Sequence, residues 1–155
     1  MKDWNEECAV VGVYNVNNAA ILSYYSLFAM QHRGQEASGI STSDGTKITT
    51  LKGNGLVTKV FDEENLKKLQ GKSSIGHNRY STAGEDSINE AQPIFARYSL
   101  GEMAIVHNGN LTNAKAVRKM LIDKGAIFQS HLDTENLIHL IAQSQKEHLV
   151  DRIID

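Results

Sequence analysis

Cys8 is the only cysteine in this chain of 155 residues, and it opens an apolar run, CAVVGVY, behind a polar leader, MKDWNEE. A lone cysteine on an apolar strand is most often an inert core residue. The leader has no evident structural task, and cleavage after Glu7 would give Cys8 a free α-amine with an ordinary pKa of about 8. Such an amine can take the proton of the adjacent thiol. We therefore expect residues 1–7 to be a propeptide and Cys8 a nucleophile, with an inert core cysteine as the alternative.

Two motifs carry charges that suit a free amino acid. Arg79 and Thr82 lie in GHNRYSTAG, at the end of a predicted strand, where a guanidinium and a hydroxyl can bind a carboxylate. Asp133 lies in LDTEN before a predicted helix, where an N-cap is the common explanation. The same carboxylate could instead pair with an ammonium group. Arg79 and Asp133 together would bracket both charges of an α-amino acid.

The segment HNGNLTN, residues 107–113, follows an apolar run and precedes a helix. One interpretation is a capped turn, because Asn-Gly is a common turn pair. The other is an oxyanion hole, in which the side-chain amide of Asn108 and the backbone N–H of Gly109 point at one developing negative charge.

The segment QHRGQE places Arg33 and Gly34 at a helix-to-strand junction. Gly34 suits a helix stop that needs a positive φ, and Arg33 suits a cation at a helix end. Neither residue decides the function alone. We expect His77, beside a strand glycine, to be structural or partly exposed.

Metal and nucleotide sites have little support in the sequence. The histidines lack the spacing of a zinc site, and Gly53 and Gly55 form only part of a phosphate-loop pattern. No metal site or cofactor is expected in this chain.

The elements that must position these residues are helices set between groups of strands. Alternation and turn signals predict strands at 8–14, 73–80 and 103–107, a hairpin around Asp44-Gly45 with its second arm at 46–52, and helices at 19–31, 62–69, 113–125 and from 133. The helix at 19–31 is apolar on nearly every side, so we expect both of its faces to be packed. This pattern favours an α+β fold with antiparallel sheets.

Composition restricts the class of protein. The length fits one globular domain, and 16 basic against 18 acidic residues give a net charge of −2, with no electrostatic footprint for nucleic acid or an anionic membrane. A single cysteine cannot form an internal disulfide, and no apolar run approaches the roughly 20 residues of a spanning helix. A cytoplasmic location is expected.

Taken together, five segments resemble the glutaminase domain of the amidophosphoribosyltransferase family, which uses an N-terminal nucleophile. In chain order they are CAVVGVY, QHRGQEASGI, GHNRYSTAG, HNGNLTNA and LDTEN. The resemblance implies a four-layer α/β/β/α sandwich of antiparallel sheets. It also implies site roles: Cys8 as nucleophile, Arg79 and Thr82 on the glutamine carboxylate, Asp133 on its amine, Asn108 and Gly109 on the oxyanion, and Arg33 and Gly34 lining the site.

The same resemblance implies a reaction and its partners. Glutamine would be hydrolysed to glutamate, and the ammonia would pass to 5-phosphoribosyl diphosphate to form 5-phosphoribosylamine in purine biosynthesis. Residues 8–155 would be a partial glutaminase domain, with the phosphoribosyltransferase domain and its magnesium outside this chain. A homotetramer is expected at full length, and an iron-sulfur cluster is left open. The chain with residues 1–7 attached should be inactive.

Three alternatives to this reading stay open. The chain could belong to an amidotransferase with another ammonia acceptor. It could be a glutamine-binding module without chemistry, or it could carry a redox-sensing thiol.

Overall fold

The computed structural model of the protein describes residues 8–80 and 88–155. Its strands are β1 Ala9–Val13, β2 Ala37–Ser43, β3 Ile48–Asn54, β4 Ser73–Arg79, β5 Ile94–Tyr98 and β6 Gly101–Ile105. Its α-helices are α1 Ala19–Ala29, α2 Val57–Val60, α3 Glu63–Lys68, α4 Ala114–Asp123, α5 Thr134–Gln143 and α6 Leu149–Ile154. Within the described residues no helix is long and apolar enough to cross a membrane.

The first sheet has four antiparallel strands in the order β1-β4-β2-β3. Strands β2 and β3 form the predicted hairpin, but the second arm begins at Ile48 rather than at residue 46. Ser43 pairs with Ile48, so the loop is the four residues 44–47 and not a two-residue turn at Asp44-Gly45. Asp44 Oδ1 accepts the backbone N–H groups of Thr46 and Lys47, and Gly45 takes a φ of +96°. An Asx side chain that bonds the following backbone, together with a glycine at positive φ, closes such a turn without strain.

The second sheet consists of β5 and β6, which pair antiparallel. Helix α1 packs on the first sheet, and α5 packs on β5 with α4 beside it. The contacts of β3 with β6 bring the two sheets together, so the order of layers is α/β/β/α as predicted. Strand β5 was not predicted from the sequence.

Helix α1 departs from its prediction in two respects. It ends at Ala29, and a 3-10 turn over Gln31–Arg33 follows. Its outer face is exposed rather than packed, because Tyr25 and Phe28 keep more than half of their surface, at 62% and 52%. Only the inner face, which includes Leu27, joins the main core with Ile40 of β2.

Strand β1 has an apolar sequence but is not fully buried. It lies at the edge of the first sheet and alternates between buried and more exposed positions, and Val10 is exposed. The predicted short helix is confirmed as α3, where Asp62 Oδ1 accepts the N–H of Asn65 at 2.7 Å.

On helix α4, Lys115 and Lys119 are exposed, but Arg118 is half-buried. Its guanidinium stacks over Phe128 and donates to the carbonyls of Ser130 and Leu132, both at 2.8 Å. Arg118 therefore holds the segment that leads into α5.

Candidate active site

Cys8 lies immediately before β1, at the end of the first sheet where β4 ends. The N–H of Tyr80 donates to Cys8 Sγ at 3.3 Å, and the thiol contacts the Tyr80 carbonyl oxygen at 3.6 Å. The residue is half-buried, so a ligand can reach the sulfur. Cys8 is therefore joined to the end of β4 through both backbone groups of Tyr80.

The carbonyl oxygen of Cys8 accepts hydrogen bonds from two side chains that are distant in sequence. Asn108 Nδ2 donates to it at 2.8 Å, and Arg33 Nε donates to it at 3.3 Å. An asparagine amide has two N–H donors, so one bond to Cys8 leaves the other for a ligand. The structure thus brings Cys8, Arg33 and Asn108 together, as predicted.

Gly109 follows Asn108 on the surface and packs against the imidazole of His107. A Cβ at Gly109 would lie 2.8 Å from His107 Nε2, so a larger residue would displace either the ring or the loop. The absence of a side chain at Gly109 therefore lets the loop backbone pack directly against the His107 ring.

Gly34 is required for a different reason from the one that the sequence indicated. Its φ is −161°, which is ordinary extended backbone, so the prediction of a positive φ is wrong. A Cβ at Gly34 would lie 2.7 Å from the carbonyl carbon of Arg79 and 2.8 Å from its oxygen. Gly34 therefore lets the chain pack directly on the peptide of Arg79, the last residue of β4.

Asp133 stands at the N-cap position of α5 but does not cap that helix with its side chain. Its Oδ2 accepts the N–H of Leu111 at 2.6 Å, and its Oδ1 lies 3.6 Å from His107 Nδ1. The carboxylate faces the loop that carries Asn108 and Gly109, so the capping explanation is wrong. Asp133 and the predicted oxyanion donors belong to one site.

His77 lies on β4 and is only 1% exposed, so it is structural rather than partly exposed. Burial lowers its pKa to about 4, and the nearby Arg79 and His107 side chains lower it further. The backbone of His107 acts in the opposite direction and raises the pKa. Neither ring nitrogen has a hydrogen-bond partner in the described structure. The ring is therefore neutral at pH 7.

Four groups at the site were not found from the sequence: the Tyr80 backbone, His107, Gln92 and Glu90. Gln92 and Glu90 are buried and contact the segments that carry Asn108 and Asp133. The position of His107 directly before Asn108 was a usable signal. No local pattern marks the other three, because their roles depend on contacts between distant segments.

Two predictions lie outside the described residues: Thr82 as a carboxylate ligand, and residues 1–7 as a propeptide. Among residues 8–80 and 88–155 there is no group of three or more His, Cys, Asp or Glu side chains that could hold a metal ion.

Two antiparallel sheets layered between helices, with a cysteine at the start of an edge strand and an asparagine amide on its carbonyl, define an N-terminal-nucleophile type of amidotransferase domain. The family model described as "Glutamine amidotransferase domain" matches residues 77–154. The chain therefore belongs to the glutamine amidotransferase domain family.

Individual relatives agree with this assignment. The chain is 46% identical over 154 residues to the amidophosphoribosyltransferase of Bacillus subtilis, a match that covers 99% of this chain and 32% of the relative. It is 48% identical over 151 residues to the chloroplastic amidophosphoribosyltransferase 1 of Arabidopsis thaliana, covering 97% of this chain and 27% of the relative.

A solved structure supports the fold directly. The glutamine phosphoribosylpyrophosphate amidotransferase of B. subtilis, complexed with ADP and GMP, superimposes with a TM-score of 0.86 at 43% identity, covering 93% of this chain and 31% of that one. The chain thus spans about a third of the length of these relatives.

Proposed function

We propose that this chain is the glutaminase part of an amidophosphoribosyltransferase, which hydrolyses glutamine and supplies ammonia to 5-phosphoribosyl diphosphate. The observation that carries the proposal is the hydrogen bond of 2.8 Å from Asn108 Nδ2 to the carbonyl of Cys8, between residues 100 positions apart. It brings a nucleophile and an amide donor into one site. The names of the relatives support the choice of acceptor.

The chemistry begins with cleavage of the bond between Glu7 and Cys8. Before cleavage the nitrogen of Cys8 is an amide and cannot act as a base, so the chain with residues 1–7 attached is inactive. After cleavage the amine takes the proton of the thiol, and the thiolate attacks the carboxamide carbon of glutamine. Negative charge then develops on the carboxamide oxygen, where Asn108 and Gly109 donate.

The second half of the reaction releases both products. The protonated amine of Cys8 gives its proton to the departing nitrogen, the C–N bond breaks, and ammonia leaves a thioester on Cys8. Water then attacks the thioester, which yields glutamate and restores the thiol.

The substrate is oriented by its two charges. Arg79 and Thr82 hold the α-carboxylate, and Asp133 accepts from the α-ammonium group. Arg33 and Gly34 line the site beside the new terminus. Asp133 already lies beside the loop of Asn108, so one ligand can contact both residues.

The remaining features are proposals from the resemblance. Residues 8–155 form part of a glutaminase domain, and a phosphoribosyltransferase domain that uses magnesium lies beyond them in a cytoplasmic homotetramer.

The test is an intact mass of the protein made from its complete gene, before and after incubation with an electrophilic glutamine analogue. We expect loss of Met1 to Glu7 and a single adduct on Cys8, and no adduct on the matched Cys8→Ser variant. A mature protein that keeps its leader while consuming glutamine would refute the mechanism. Glutamine binding that is unaffected by Cys8→Ser, with no turnover in the parent, would identify a binding module instead.

A further inference from the structure

We propose that Gln92 and Glu90 are positioning residues that set the two loops of the glutaminase site, Gln92 chiefly for turnover and Glu90 chiefly for glutamine binding. Both lie on the short buried segment, residues 90–92, that leads into β5. The inference rests on the proposed function.

Gln92 holds the loop of the oxyanion donors. Its side-chain Oε1 accepts the N–H of His107 at 2.7 Å, and its Nε2 donates to the carbonyl of His107 at 3.1 Å. One amide therefore satisfies both backbone groups of one residue, as a neighbouring strand would do. Strand β6 ends at Ile105. Gln92 therefore holds the backbone two residues beyond that strand, at His107, which directly precedes Asn108.

Glu90 holds the segment that carries Asp133. Its carboxylate accepts the N–H of His131 at 2.8 Å, and His131 Nδ1 lies 3.9 Å away. His131 precedes Asp133 by two residues, so this bond, together with the two that Arg118 donates to Ser130 and Leu132, fixes where the chain enters α5. Glu90 is only 5% exposed, and a charge–amide bond in such a place is stronger than one in water.

The segment that carries both side chains is itself anchored on the first sheet. Lys52 Nζ, on β3, donates to the carbonyl of Ala91 at 2.5 Å. A Cβ at Gly39, on β2, would collide with the carbonyl oxygen of Gln92, so the segment packs directly on the backbone of that strand. The segment therefore fixes the positions of the loops of Asn108 and Asp133 relative to the first sheet, which carries Cys8.

Because the two side chains reach different loops, their removal should have different kinetic effects. A displaced Asn108 weakens an interaction that is strongest in the transition state, which lowers kcat. A displaced Asp133 weakens an interaction made equally in the ground state, which raises KM. A merely structural role would lower stability without this division.

The first experiment measures glutaminase kinetics in the processed enzyme made from the complete gene. Gln92→Leu should lower kcat by roughly 10- to 100-fold, the scale of an ångström-sized misplacement, with KM for glutamine within about threefold. Glu90→Leu should raise KM about tenfold with kcat within about threefold. The matched control is Thr42→Val, which removes a buried hydroxyl that has no hydrogen bond in the described structure. Thr42 lies near the end of β2 at Ser43, and its substitution should change neither kcat nor KM.

The second variant, Gln92→Glu, keeps the shape of the side chain and tests the donor alone. As a carboxylate, Glu can accept from the His107 N–H but cannot donate to the His107 carbonyl. When protonated it can do both. Burial raises the pKa of such a carboxyl, so the kcat of the variant divided by that of the parent should increase at least about threefold as the pH falls from about 8 to about 6. The neighbouring ionisable groups, which are Lys52, His77, Glu90 and His107, are present in both proteins, so the ratio isolates the new carboxyl.

The outcomes separate this inference from the proposed function. A parent that neither hydrolyses glutamine nor reacts at Cys8 overturns both. An active parent in which Gln92→Leu keeps its kcat, or in which Gln92→Leu and Glu90→Leu change kcat and KM alike, overturns the positioning roles alone. If Gln92→Leu does not fold, a ratio for Gln92→Glu that is independent of pH overturns the role of Gln92.

Discussion

The two halves of the site are held in place by different means. On the first sheet, Cys8 leads into β1, whose five residues all pair with β4, and Gly34 packs on the peptide of Arg79. On the second sheet, the loop of Asn108 emerges from a two-stranded ribbon and is tied down by the side chains of Gln92 and Asp133. Backbone pairing positions the proposed nucleophile, whereas side-chain hydrogen bonds position the proposed oxyanion donors.

This difference separates stability from catalysis. A change in the first half must disturb the backbone hydrogen bonds between the strands of the first sheet, so it should lower the free energy of unfolding. A change in the second half can move a loop while both sheets stay intact, so it should act mainly on the reaction.

Asn108→Ala should produce the largest effect, and it should fall on turnover. Loss of one oxyanion donor typically raises the barrier by about 2.7–4 kcal/mol, so kcat for glutamine hydrolysis should fall by roughly 100- to 1000-fold with a smaller change in KM. Steady-state kinetics of the processed enzyme measures this. Asn110→Ala, an exposed change in the same loop, is the control. A kcat within about tenfold of the parent would count against the role of Asn108.

Gly34→Ala should act on stability first. The new Cβ would lie 2.7 Å from a backbone atom of Arg79, which cannot move without disturbing β4, so we expect a loss of up to about 3 kcal/mol in the free energy of unfolding. Urea denaturation measures this loss. Gly12→Ala is the matched control, because its Cβ would meet nothing within 4 Å. Equal stability of the two variants would show that the close approach at Gly34 does not matter.

The burial of His77 should make the stability of the protein depend on pH. Its folded pKa of about 4 lies below the ordinary value of 6.5, so the unfolded chain binds the proton first as the pH falls. The stability that neutral His77 contributes is therefore present above pH 6.5 and is lost on the way down to about pH 4. Between pH 7 and pH 5 the parent should lose about 2 kcal/mol from this group.

The comparison for this prediction is His77→Gln, which removes the titration. Urea unfolding at both pH values should show a smaller loss in the variant than in the parent. Identical pH dependence in the two proteins would mean that His77 is already protonated, or still neutral, throughout that range.

The sequence was informative wherever the signal is local. The hairpin near Asp44-Gly45 and the short helix that begins after Asp62 depend on residues within three positions of each other, and both elements were predicted from the sequence. Cys8, Asn108 and Asp133 stood out because each lies at the boundary of a predicted strand or helix. Their meeting in one site was expected from resemblance, not from periodicity.

The sequence failed where the cause is long-range. Strand β5 is only five residues long and follows Pro93, and its identity depends on pairing with β6. The apolar outer face of α1 indicated two-sided burial, but the described structure packs only one side. Gly34 was assigned to a turn, whereas its constraint comes from the peptide of Arg79. Gln92 and Glu90 were missed because their partners lie 15 and 41 positions away.

The smallest predicted effect is that of Asp62→Ala, a change on the first half that is remote from the site. Loss of the cap on α3 should cost about 1 kcal/mol in the free energy of unfolding, because the N–H of Asn65 loses its acceptor. Asp62→Asn keeps an acceptor at the same place and should recover most of that loss. Glutamine turnover should match the parent in both variants, because backbone pairing, not α3, sets the position of Cys8. A fall in kcat with Asp62→Ala that Asp62→Asn restores would show that strain in the first half reaches the reacting groups, and the division between the two halves would fail.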